Sequence, residues 1–78
     1  MGMKISMDKS DLEELLESLI SMQQEVLLRN GRRLIPNLTS DDVLQPNDFP
    51  ELEFNPDFRY EEGILAGMLS VRAAIRSG

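Results

Sequence analysis

The chain has 78 residues, of which 14 are acidic and eight basic, for a formal net charge of −6; it contains neither Cys nor His. Disulfides and thiolate chemistry are excluded, and so are the commonest transition-metal ligand and the commonest proton carrier at neutral pH. Any metal site would be built from oxygen ligands and would suit Mg²⁺, Mn²⁺ or Ca²⁺. The acidic balance argues against a nucleic-acid partner, which selects a basic face, and no apolar run reaches the ~18 residues of a membrane span.

Size sets a further limit. A chain this short forms one domain, 1–78, and buries only about 60–65% of the surface its unfolded form exposes. Packing and self-association are then the available sources of stability. The opening segment "MGMKISMDKS" has no apolar core of a signal peptide, so a cytoplasmic protein is expected, and the sequon Asn37-Leu38-Thr39 is read as coincidence.

The first helix is expected over about residues 9–30. Asp8 as N-cap places Asp11 at N3 and lets Met7 staple onto Leu12; Ser10 as N-cap instead makes a capping box with Glu13. Leu12, Leu15, Leu19, Met22 and Val26 recur at 3-4 spacing, an a/d seam of about two heptads. Leu16, Ile20 and Leu27 widen the seam by a second flank. An arc that broad asks for two or more packing partners, as in a bundle.

Asn30-Gly31 ends this helix, with Gly31 as a left-handed cap. The competing reading, a hairpin turn at Asn-Gly, fails on its flanks, which keep the helical period of the leucines. The basic cluster Arg29, Arg32, Arg33 then sits at a helix C-terminus, where the dipole favours cations.

Residues 31–55 read as a connector. Thr39 or Ser40 caps one short turn, "SDDVL", stopped by Pro46. The remainder, "QPNDFPELEFNPD", reads as extended or turning chain. Its residues Phe49, Leu52 and Phe54, with Phe58 and Tyr60 beyond it, alternate with Asp48, Glu51, Glu53 and Asp57. Such a strip either folds back to close the open side of a small bundle, the favoured reading, or docks into a partner's groove.

The second helix starts at Asn55-Pro56-Asp57, an Asn cap with Pro at N1, and runs to about residue 76. Phe58, Leu65, Met68 and Ile75 lie on one stripe. Gly63, Gly67, Ser70 or Val71, and Ala74 form an adjacent small-residue stripe. Each helical glycine costs about 1 kcal/mol against alanine, so the stripe is read as a close crossing with another helix, within the chain or in a dimer. Both helices are acidic at the start and basic at the end, which favours an antiparallel pair.

The pentapeptide "EELLE", with Glu13, Glu14 and Glu17, resembles the metal-binding helix of the all-α nucleoside-triphosphate pyrophosphatases. That resemblance implies a Mg²⁺-dependent hydrolase in which Glu61 and Glu62 complete the ligand set. The family's downstream ExxD is not present in this chain. Neither a nucleophilic triad nor a glycine-rich phosphate loop can be assembled.

The expected architecture is therefore all-α: an α-hairpin with a long Pro/Phe-containing connector, dimerising into a four-helix bundle. Leu12, Leu15, Leu19, Met22, Val26, Gly63, Gly67, Met68 and Val71 are the helix-packing or dimer-interface candidates. Phe49, Leu52, Phe54 and Phe58 are the candidates for partner docking. The expected function is protein binding without a cofactor, as an adaptor, regulator or chaperone-like subunit; the hydrolase is the alternative. In composition such an acidic, compact dimer is similar to small export chaperones.

Overall fold

The computed structural model describes residues 8–45 and 48–78. These form four helical segments, α1 (Lys9–Leu34), α2 (Ser40–Val43), α3 (Pro50–Glu53) and α4 (Pro56–Ser77), with no strand among the described residues. Asp8 caps α1, its carboxylate accepting from the Asp11 amide at 2.8 Å. The staple from Met7 and the stop at Pro46 lie outside the described residues.

Contacts between the long helices fix their direction. Gln23 meets Glu61, Glu17 meets Arg72, and the region of Gly31 meets Phe58, so position rises along α1 as it falls along α4. The fold is an antiparallel α-hairpin. At one end the charge pattern read from the sequence is realised directly: Glu17 stands 3.9 Å from Arg76 as well as bonding Arg72.

α1 does not end at Gly31. It continues to Leu34, and the Ile35 amide closes it on the Gly31 carbonyl at 2.8 Å. No described glycine has a positive φ, so the left-handed cap is not formed. Gly31 is instead a buried helical residue. A Cβ there would collide with Leu38 Cδ2 and stand 3.6 Å from both Leu52 Cδ2 and Phe58 Cε2. Its bare Cα lets the connector lie directly on the helix.

The connector is more ordered than an extended chain. Thr39 caps α2 through a reciprocal box: its hydroxyl accepts from the Asp42 amide at 3.2 Å, and Asp42 Oδ2 accepts from the Thr39 amide at 3.0 Å. Pro50 opens α3 at its first position, where a missing N–H costs nothing. Arg32 Nε donates to the Leu38 carbonyl at 2.8 Å, tying the connector to the last turn of α1.

The core draws on all parts of the chain. Leu16, Ile20 and Leu27 come from α1, Leu38, Val43 and Leu52 from the connector, and Phe58 and Leu65 from α4. Leu52 and Phe58 are fully buried, so for them the aromatic strip folds back.

Two glycines of one chain should respond oppositely to the same substitution. At Gly63 the place a Cβ would take has no heavy atom within 4 Å, so Gly63→Ala stabilises by about 1 kcal/mol through helix propensity. Gly31→Ala destabilises by about 1 kcal/mol net, because overpacking against the fully buried Leu38 costs roughly 1–3 kcal/mol and exceeds the propensity gain. Denaturant midpoints of the two variants check this; equal stabilisation by both would refute the close approach at Gly31.

Candidate functional site

Successive helical residues turn by about 100°. On α1 the buried line is Leu16, Ile20, Gln23, Leu27 and Gly31. The 3-4 seam read from the sequence lies on the adjacent flank and is not the seam between the two helices of the hairpin. Leu12, Leu15, Leu19 and Met22 are 39–61% exposed, and Val26 is half-buried. Sequence spacing alone favours this flank because Gln23 and Gly31 break the apolar pattern of the other.

Gln23 is the one buried polar side chain among the described residues. Its Nε2 donates to the Glu61 carbonyl at 2.8 Å and to Glu61 Oε1 at 2.9 Å. Pinning Glu61 in this way sets the rotation of α4 against α1. Asn30 and Arg33 share a cleft with Tyr60 and Glu61 on the same side of the hairpin.

By helical rotation Ile64, Met68, Val71 and Ile75 occupy that side of α4. Val71 is 51% exposed, while Ile64, Met68 and Ile75 are half-buried. The exposed leucines of α1 and these α4 residues therefore make one side of a two-helix layer, apolar from Leu12 to Val26 along α1 and polar at the Asn30–Arg33 end. The connector lies on the other side.

Gly63 and Gly67 do not serve a crossing inside the chain. Both are exposed, and neither would bring a Cβ within 4 Å of another atom. Gly67 borders Val71 and Ala74 on the helix surface, at the α4 edge of the open side. The close-approach glycine within the chain is Gly31, which the Asn30-Gly31 pair marks as a cap in the sequence.

The aromatic strip is divided. Leu52 and Phe58 belong to the core, Phe49 packs partly against it, and Phe54 is 78% exposed. As a continuous docking strip it does not exist in the folded chain, because its two best anchors are already buried.

The five glutamates that resemble a metal site are not gathered together. Glu17 accepts from Arg72 Nη1 at 2.6 Å, Glu61 from Gln23, and Glu62 pairs with Arg59 at 2.9 Å. Among the described residues no three acidic side chains stand close enough together to hold a metal ion.

A second surface, not found from the sequence, lies on the connector side. A groove of about 490 Å³ opens between α1, α2 and α4. Leu27, Leu28, Val43, Leu65 and Leu69 form its apolar walls. Its lining includes one acidic residue from each helix: Glu25 from α1, Asp41 from α2 and Glu62 from α4. Three separate elements build it, so no local motif announces it.

No protein-family model matches the chain, and neither a curated protein nor a solved structure matches it. No helix among the described residues is long and apolar enough to cross a membrane.

The Arg72 hydrogen bond, helped by the charges of Arg72 and Arg76, holds the Glu17 carboxyl below the ordinary glutamate value. A depressed folded-state value means that this contact supports the fold above the ordinary range and is lost as pH falls through the lowered midpoint. An NMR titration of the Glu17 side chain should show that low midpoint, and Arg72→Gln should move it up. A midpoint that Arg72→Gln leaves in place would mean that the interhelical pair does not form in solution.

Proposed function

We propose that the protein acts by binding, as a small acidic interaction module, and that it self-associates through the open side of the hairpin into a four-helix bundle. The observation that carries this reading is the continuous apolar side formed by Leu12, Leu15, Leu19 and Met22 with Val71, all exposed in the single chain. Monomeric proteins rarely leave a contiguous apolar patch of that kind uncovered.

Area and shape support the same reading. The exposed stripe from Leu12 to Met22 extends about 15 Å along α1. A stable interface covers roughly 600–1,000 Å² on each partner. The radius of gyration is 15.4 Å, against about 11–12 Å for a compact globule of this length. A second copy laid on the open side would cover Leu12, Leu15, Leu19, Met22 and Val71 and complete a core that one chain only half encloses. Gly67 and Ala74 along the edge would let the second copy's backbone come close.

Binding is favoured over hydrolysis on the chemistry of the side chains. The chain lacks His and Cys, and its candidate ligands Glu17, Glu61 and Glu62 are each occupied by a different neighbour. The roles that fit are adaptor, regulator or chaperone-like subunit in the cytoplasm, presenting a bundle surface to a protein partner.

Molar mass in solution across a concentration series, with and without millimolar Mg²⁺, tests the proposal. The expected mass is twice 8.9 kDa and indifferent to Mg²⁺. Leu15→Glu combined with Leu19→Glu should give a monomer that keeps its helicity, since neither leucine belongs to the intrachain core; Gly67→Leu should weaken association. A wild-type chain that stays at the monomer mass at all concentrations would overturn the dimer, and a Mg²⁺-dependent mass would bring back the carboxylate site.

A further inference from the structure

The connector-side groove lies on the opposite flank of the hairpin from the side assigned to self-association. On α1 it uses Gln24, Glu25 and Leu28, and on α4 Glu62, Ala66 and Leu69; none of these lies on the Leu12–Leu19 stripe or is Met68 or Val71. The two surfaces are therefore available at the same time. The groove spans Ser21 to Leu28 along α1, about 10 Å at 1.5 Å per residue. That length takes roughly two turns of a helix, whose side chains at i and i+3 or i+4 would reach the walls.

The charges select the occupant. Every ionisable group lining the groove is a carboxylate: Glu25, Asp41 and Glu62. Glu62 is partly neutralised by Arg59, while Glu25 and Asp41 have no ion pair among the described residues. An apolar trough lined by carboxylates from α1, α2 and α4 complements a helix with an apolar face bordered by Lys or Arg. It disfavours nucleic acid and a second copy of this chain, both of which bring more negative charge.

We propose that this groove is the docking site for a short cationic amphipathic helix of a partner protein. Leu28, Val43 and Leu69 take the apolar anchors, and Glu25 and Asp41 take the flanking cations. This site rests on the binding reading above and supplies its partner chemistry, but it does not depend on the dimer, because the groove is complete within one chain.

The test uses the full chain, isotope-labelled, titrated with a synthetic helix of leucine and lysine whose leucines are spaced three and four apart. A matched peptide with glutamate in place of lysine is the control. The expected result is saturable binding of the lysine peptide, with amide shifts centred on Leu28, Val43 and Leu69, and none by the control. Ala66→Trp, which fills the groove from an exposed position, should abolish it. Glu25→Gln with Asp41→Asn should weaken it roughly three- to tenfold at low salt, as expected for rim charges of this exposure.

The monomeric Leu15→Glu, Leu19→Glu variant should bind the peptide as well as wild type does. That arm separates the two proposals: loss of the dimer with retained peptide binding leaves the groove intact. Three results of the titration would overturn the groove proposal, and a fourth comes from the free chain. These are equal binding of the glutamate peptide, shifts centred on Leu12 to Met22, and no binding at millimolar peptide. Concentration-dependent shifts at the groove without peptide would overturn it too, by assigning it to a second copy.

Discussion

The connector can fold onto the hairpin because position 31 carries no side chain. Leu38, Leu52 and Phe58 converge on the bare Gly31 backbone, and all three are 0–1% exposed. The packing brings two residues of the connector, and the first turn of α4, to one point on α1. Arg32 locks the arrangement by holding the Leu38 carbonyl. Once the connector is seated there, α4 starts alongside the end of α1 and must run back antiparallel. Gln23 then fixes its rotation through the paired bonds to Glu61.

Seating the connector on one side has a consequence for the other. A hairpin of two long helices is a layer with two broad sides, and among the described residues the connector covers one. The covered side supplies Leu38, Val43 and Leu52 to the core. The uncovered side keeps the leucine stripe of α1 and Val71 in contact with water. Apolar surface left in this way is the strongest drive toward association available to a small chain without cysteines. Self-association on one side and a partner groove on the other would make the protein a two-sided module, its dimer contact apolar and its partner contact set by charge.

Several features were legible in the sequence because they are local. The caps at Asp8 and Thr39, each one of two positions the sequence offered, and the Asn55-Pro56 start satisfy orphan amides within a few residues. The breadth of the apolar arc on α1 also implied more than one packing surface. What could not be read was which flank meets which partner. Leu12 to Val26 makes the cleaner heptad, yet the inner seam holds Gln23 and Gly31. Gln23 fits there only through Glu61, 38 residues away, and Gly31 only through Leu38 on the folded connector. The same limit explains the glycines. A glycine needed for a close contact and one that ends a helix look alike until the contacting residue is known. The groove was invisible for a related reason, since its three carboxylates come from three helices that meet only in the fold.

Everything proposed for the open side of the hairpin depends on its being covered by a second copy. Intermolecular methyl contacts, measured in a sample mixed from isotope-labelled and unlabelled chains, would settle that dependence. Contacts between copies are expected from Leu15, Leu19 and Met22 to open-side methyl groups of the second chain, and none from Leu28 or Val43. Absence of any intermolecular contact at millimolar protein would contradict the dimer, as would contacts confined to the groove residues.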